Sequence, residues 1–242
     1  MVKMPKRQTL VRTDTQQILG MCGPNYQILK HADAVDTLNN ALKETGFDYN
    51  EKTILTKVGA RLFHHVTFEG MNANIDGEDV ALQLIMLNSY DGSCPFDLDL
   101  GGYRFVCQNG MRVGTSLERT RSKHTASLNY KHLIKKIKLK VQSFNDVLIP
   151  FWASLAEYDA NLKEGREIIE GIIDQSKFPK RHGKKVLQEW NRQRTPITGG
   201  RNAWGIYNAF TSVITHQIQD KHFERGHSLG RSIMPSFEAL AN

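Results

Sequence analysis

The sequence predicts an α+β fold: an antiparallel β-meander with a covering helix, followed by a helical C-terminal half. Three observations predict it. Apolar residues recur at helical spacing between residues 34 and 42. Strand-like runs broken by turn dipeptides fill residues 53 to 113. Helical spacing returns after about residue 128. The expected organisation is a β-rich region over residues 1–115 and a basic helical region over 116–242, packed on the sheet as one domain.

Tyr26 to Leu29 reads as a short strand behind the turn Cys22-Gly23-Pro24-Asn25. Ala34, Val35, Leu38, Ala41 and Leu42 mark the covering helix, with Asp33 as its N-cap and Gly46 as its stop. Strands are expected at 54–58, 61–68, 80–88, 96–100 and 103–107. Turns are expected at Glu69-Gly70, Asp76-Gly77, Asp91-Gly92 and Gly101-Gly102.

In the second half Leu133, Ile134, Ile137, Val141, Phe144 and Leu148 form one stripe, which Pro150 kinks or ends. Trp152 to Leu162 and Glu164 to Ile173 read as one long helix. Val186, Leu187 and Trp190 mark a short helix. Trp204, Tyr207, Phe210, Ile214 and Ile218 mark a last amphipathic one. Segments 114–128 and 193–201 lack apolar periodicity and are expected to be loops.

Composition narrows the class. Hydrophobic residues make up 40% and charged residues 24%, which argues against a disordered chain. The apolar runs are far below the roughly 20 residues of a membrane span. No apolar stretch follows Lys3, Lys6 and Arg7, so a cytoplasmic protein is expected. Cys22, Cys94 and Cys107 are too widely spaced for a disulfide framework or a CxxC metal pair, and read as reduced thiols.

Charge is the most informative feature. The formal net charge is +7, but residues 1–111 sum to −3 and residues 112–242 to +10. Between 112 and 140, nine Lys and Arg stand against Glu118 alone. Between 177 and 201, eight stand against Glu189 alone. Runs so poor in acid suit phosphate neutralisation, in which each cation on a phosphate releases counterions. The candidate phosphate contacts are Arg119, Arg121, Lys123, Lys135, Lys136, Lys138, Lys180, Arg181, Lys184 and Lys185. Tyr130, Phe178 and Trp190 lie near enough in sequence to stack bases.

Asn88-Ser89-Tyr90-Asp91-Gly92-Ser93 followed by Arg104-Phe105-Val106-Cys107-Gln108-Asn109-Gly110-Met111 resembles the "NSHDGS … RxVCxNG" signature of the phage- and plasmid-borne proteins grouped as domain of unknown function 932. Leu19-Gly20 to Tyr26 is similar to that family too. Trp204-Gly205-Ile206-Tyr207-Asn208-Ala209-Phe210-Thr211 with His216 resembles its "WxxYNAxT…H" helix. Tyr90 stands where the signature has His. The resemblance implies residence on mobile elements, beside replication, recombination or defence functions.

By residue type, 88–93 and 108–110 are turn sequences, since short polar side chains bond their own backbone and Gly accepts positive φ. Their alternative is a site lined by Asn88, Asp91, Ser93, Arg104 and Asn109. Asp97 and Asp99 fall on one strand face and with Asp91 would hold Mg²⁺ for phosphodiester hydrolysis; otherwise they are the solvated face of an edge strand. No HExxH, phosphate loop or GxGxxG is present, and the histidines are scattered. Neither a cofactor nor a metal is expected.

The function expected is nucleic-acid binding, DNA rather than RNA, single-stranded, with annealing as its outlet in phage replication or recombination. A homo-oligomer fits that reading. Two alternatives stay open: a counter-defence protein that binds a host protein and no DNA, and a metal-dependent nuclease.

Overall fold

In the computed structural model the described residues are 7–105, 112–125, 128–132, 134, 140–141, 143–192, 201–218 and 223–241, with the backbone alone at 57, 104–105, 112–118 and 223–227. A two-stranded antiparallel ribbon comes first, β1 (Gln8–Val11) and β2 (Ile18–Cys22). Then α1 (His31–Lys43) leads into a five-stranded antiparallel meander. Its strands lie in sequence order: β3 (Tyr49–Thr56), β4 (Arg61–Ile75), β5 (Glu78–Ser89), β6 (Phe96–Phe105) and β7 (Arg112–Ser122). The rest of the described chain is mostly helical: α2 (Ile149–Glu157), α3 (Leu162–Gln175), α4 (Gly183–Arg192), α5 (Ala203–Val213) and α6 (Phe223–Ala241). The α+β class and the meander are as the sequence predicts.

Several expectations change. Tyr26 to Leu29 is not a strand; the Gln27 amide donates to the His124 carbonyl at 3.0 Å, one contact rather than a ladder. The helix α1 begins two residues before Asp33. Lys30 is the N-cap residue without a side-chain cap, and the His31 amide donates instead to the Tyr90 hydroxyl at 2.7 Å. A distant side chain thus does what a local cap does elsewhere.

Asp76 and Gly77 close the β4–β5 hairpin at φ 51° and 83°, the left-handed pair a two-residue turn requires. Glu69-Gly70 is no turn, because β4 continues through it. Gly101-Gly102 is no turn either; one strand, β6, replaces the two expected at 96–100 and 103–107. The physical reason is close approach. A Cβ at Gly102 would lie 1.9 Å from the ring of Trp152, so glycine makes room for an indole there. Residues 114–122, expected as loop, belong to β7.

The stripe through Phe144 and Leu148 passes into a π-helical turn, Phe144–Leu148, just ahead of Pro150 in the first turn of α2. The expected long helix is two. It breaks at Tyr158, and Asn161 restarts it with a capping box, accepting from the amides of Lys163 and Glu164 while Glu164 accepts from the Asn161 amide. The segment α5 is not amphipathic: residues 203–215 are buried on every side. Nor is it last, since α6 follows. Of the loop expected at 193–201, residues 193–200 fall outside the described residues.

By contact density the chain forms two units. One comprises Met1–Met71, Leu82–Gly101 and Ser116–Gln142; the other comprises Asn72–Ala81, Gly102–Thr115 and Ser143–Asn242. The core of the first holds Ala34, Leu38 and Leu42 of α1 with Leu62, Val66 and Phe68 of β4 and Leu82, Leu84 and Met86 of β5. The core of the second is aromatic. Trp152 packs 5.7 Å from Trp204, Trp204 stacks on Tyr207 at 5.6 Å, and Phe237 meets the edges of Tyr207 and Phe210. Among the described residues no helix is long and apolar enough to cross a membrane.

Candidate functional site

The Asn88 to Ser93 segment is a knot of internal bonds. Asn88 and Ser89, at the end of β5, have no exposed surface. The Asn88 Nδ2 lies 2.8 Å from the Leu29 carbonyl and 2.9 Å from His31 Nδ1. His31 stacks on Tyr90 at 3.9 Å. Tyr26 donates its hydroxyl to the Ser89 carbonyl at 2.6 Å, and Ser89 Oγ donates to the Cys94 carbonyl at 2.7 Å. Arg61 reaches in from β4, with Nε on Ser93 Oγ and 3.5 Å from Asp91. Gly20 packs so closely that a Cβ there would lie 2.5 Å from the Asp91 Cα.

Asn88, Asp91 and Ser93 therefore come together, but Asn88 faces the interior. This is the structural use of a turn sequence, extended by a buried amide. Tyr90, at the departure from the family signature, supplies a hydroxyl acceptor for α1. Arg104 contributes backbone to β6, its side chain lying outside the described part, as Asn109 does entirely. His31, Tyr26, His124 and Arg61 complete the knot, and sequence carried no signal for them because their partners are far along the chain.

Burial sets the protonation here. It pushes the His31 and His124 imidazoles below the ordinary histidine value, and the Tyr26 phenol and Cys94 thiol upward. Cys94 is thereby kept from being a thiolate nucleophile. Cys22 and Cys94 are free thiols, and Cys107 is not among the described residues.

The Trp204 to Thr211 motif has a matching explanation in the other unit. Trp204 and Asn208 lie one turn apart on α5, and both donate to Glu78 Oε2, at 3.0 and 2.7 Å. Asn202 caps α5 by accepting from the Gly205 amide, and its own amide donates to Asp76 at 2.8 Å. The Glu78 carboxylate is thus held by two motif side chains, and that of Asp76 by the residue that caps the motif helix.

Asp97 and Asp99 do not form a solvated edge. Their strand is interior to the sheet, and both are buried. Arg119, proposed by sequence as a phosphate contact, forks onto Asp97 with two bonds, one of 2.9 Å from Nε, at 9% side-chain exposure against 3%. Its charge is spent inside the fold. Among the described residues no group of three or more His, Cys, Asp or Glu is placed to hold a metal.

The remaining cations divide by unit. In the first, Arg121 and Lys123 are exposed after the Arg119 pair, while Lys135, Lys136 and Lys138 lie outside the described residues. In the second, Lys180, Arg181, Lys184 and Lys185 are exposed along α4 and the short turn before it. Val186 and Trp190 bury the opposite face of α4. Lys180 pairs with Asp174 at 2.6 Å. Two of the three aromatics expected to stack bases are buried in packing: Trp190 is fully buried against Gly165, and Phe178 meets Phe210 edge-on; Tyr130 is half-buried and meets Phe96 edge-on.

A family model described as Domain of unknown function (DUF932) matches residues 18–234. No solved structure matches the chain.

Proposed function

We propose, for a chain that belongs to the family described as Domain of unknown function (DUF932), the binding of nucleic acid, DNA before RNA, in the replication or recombination of a phage or other mobile element. The observation that carries this reading is the outer face of α4, where Lys184 and Lys185 stand exposed beside Arg181 with no acid between them. Arg121 and Lys123 add exposed charge in the other unit. These side chains act on phosphates as positive charges with little regard to sequence, so affinity is mostly counterion release.

The test is fluorescence anisotropy of the full chain with labelled single-stranded and duplex oligonucleotides at roughly 50 and 200 mM salt, where phosphate contacts show themselves. The expected result is binding that weakens steeply between the two. No binding to either at the lower salt overturns the reading and returns the basic half to a protein-docking role. The nuclease alternative has little to stand on, because Asp97 is committed to Arg119.

A further inference from the structure

We propose that the nucleic acid is a duplex and that α4 reads it from the major groove. This rests on the binding function above. Arg181, Lys184, Lys185, Gln188, Asn191 and Arg192 are all exposed. The five that lie on α4 fall, at 3.6 residues per turn, within about a third of its circumference, and Arg181 stands in the short turn just before it. Each is a hydrogen-bond donor, and none is acidic, apolar or aromatic. Lys184, Gln188 and Arg192 follow one another at i, i+4 and i+8, one above the next. Acids sit at the margins: Asp174 holds Lys180 and with Glu170 lines the groove on one side of Lys184, and Glu189 lies 3.5 Å from Arg192.

Chemistry separates the two forms of nucleic acid. Proteins that hold single strands without sequence preference combine cations with aromatic platforms on which bases stack. In the unit that carries α4 the three tryptophans, Phe178, Phe210 and Phe237 are buried, and none of the six is offered to a base. Tyr158, 41% exposed just past the end of α2, offers one ring rather than a row of platforms. A duplex instead offers a groove about 12 Å wide, which admits a helix about 10–12 Å across with its side chains. In that groove Arg and Lys pair with guanine O6 and N7, and Gln and Asn with adenine N6 and N7. The face of α4 carries both kinds, with Gln188 between Lys184 and Arg192. The buried Val186 and Trp190 hold the helix so that this face is outward.

The experiment uses the full chain with a duplex of about two helical turns and with either of its strands, at one salt concentration that permits binding. Expected is about tenfold tighter binding to the duplex, with guanine N7 protected from dimethyl sulfate over the bound stretch. Replacing adenine by 7-deazaadenine in the duplex weakens binding of the unaltered chain about tenfold and leaves the Gln188→Ala/Asn191→Ala chain unaffected, while that chain keeps its guanine protection, its circular dichroism and its salt slope. Equal affinity for duplex and single strand, guanines as reactive as in free duplex, or the same response to 7-deazaadenine in both chains overturns the groove assignment alone. Binding to neither form overturns the function on which it rests.

Discussion

Arg119 and the buried histidines show how far a residue's neighbours redirect its chemistry. Arg119 lies in a cationic run, yet its guanidinium closes on Asp97 inside the sheet. Removing it strands a buried carboxylate, so Arg119→Ala is expected to cost about 3–5 kcal/mol of stability. Its urea midpoint falls, and an unchanged midpoint would contradict the assignment. His31, His64 and His124 carry a pH dependence. Burial is the main cause lowering each below the ordinary value of about 6.5. The folded chain keeps them neutral, and above about pH 6.5 the unfolded chain does too, so they leave stability unchanged there. Below it the unfolded chain takes up protons that the folded chain refuses, and stability drops as pH falls through the folded values. The urea midpoint is expected to be lower at about pH 5.5 than at about 7.5, with a smaller drop in His64→Gln. A drop of the same size in His64→Gln would remove that residue from the cause.

Helix α3 sets two glycines in opposite roles. At Gly165 a Cβ would meet the Trp190 ring at 2.0 Å; at Gly171 it would meet nothing within 4 Å. Alanine favours helix over glycine by about 1 kcal/mol at either position. Gly171→Ala should therefore raise the melting temperature. Gly165→Ala should lower it, because forcing Trp190 aside costs about 1–3 kcal/mol or more. Thermal unfolding of the two variants checks this, and the same sign for both would refute the packing of Trp190 over Gly165. The same logic runs through β6, where Gly102 leaves room for Trp152. In both places the glycine is a seat for an indole, although sequence reads Gly102 as part of a turn.

Over the whole molecule the charge division is the property with the widest consequence. The net charge of +7 hides an acidic first 111 residues and a strongly basic remainder. The exposed cations on α4 belong to one unit and Lys123 to the other. Lys184→Ala/Lys185→Ala is expected to lower the slope of log affinity against log salt by about two. An unchanged slope would remove the α4 face from the binding surface. Either result is read from the same anisotropy titration.

Sequence by itself determined the fold class, the covering helix, the antiparallel meander and its Asp-Gly hairpin, because these depend on local periodicity and on turn residues that act within a few positions; the order of the strands came from the structure. It also determined the charge division and the family, the latter through Asn88 to Ser93 and the Trp204 helix. Only the tertiary structure decided what those motifs do. Asn88 serves Leu29 and His31, and Trp204 with Asn208 serves Glu78, partners separated by about sixty to more than a hundred residues. The same distance effect turned Gly101-Gly102 from a turn into strand, made α5 a core helix and withdrew Arg119 from the cationic surface. Periodicity reports which side of an element is apolar. It does not report which far segment arrives to pack on it or to neutralise it, and burial of that kind settles whether a polar residue is a site or a fastening.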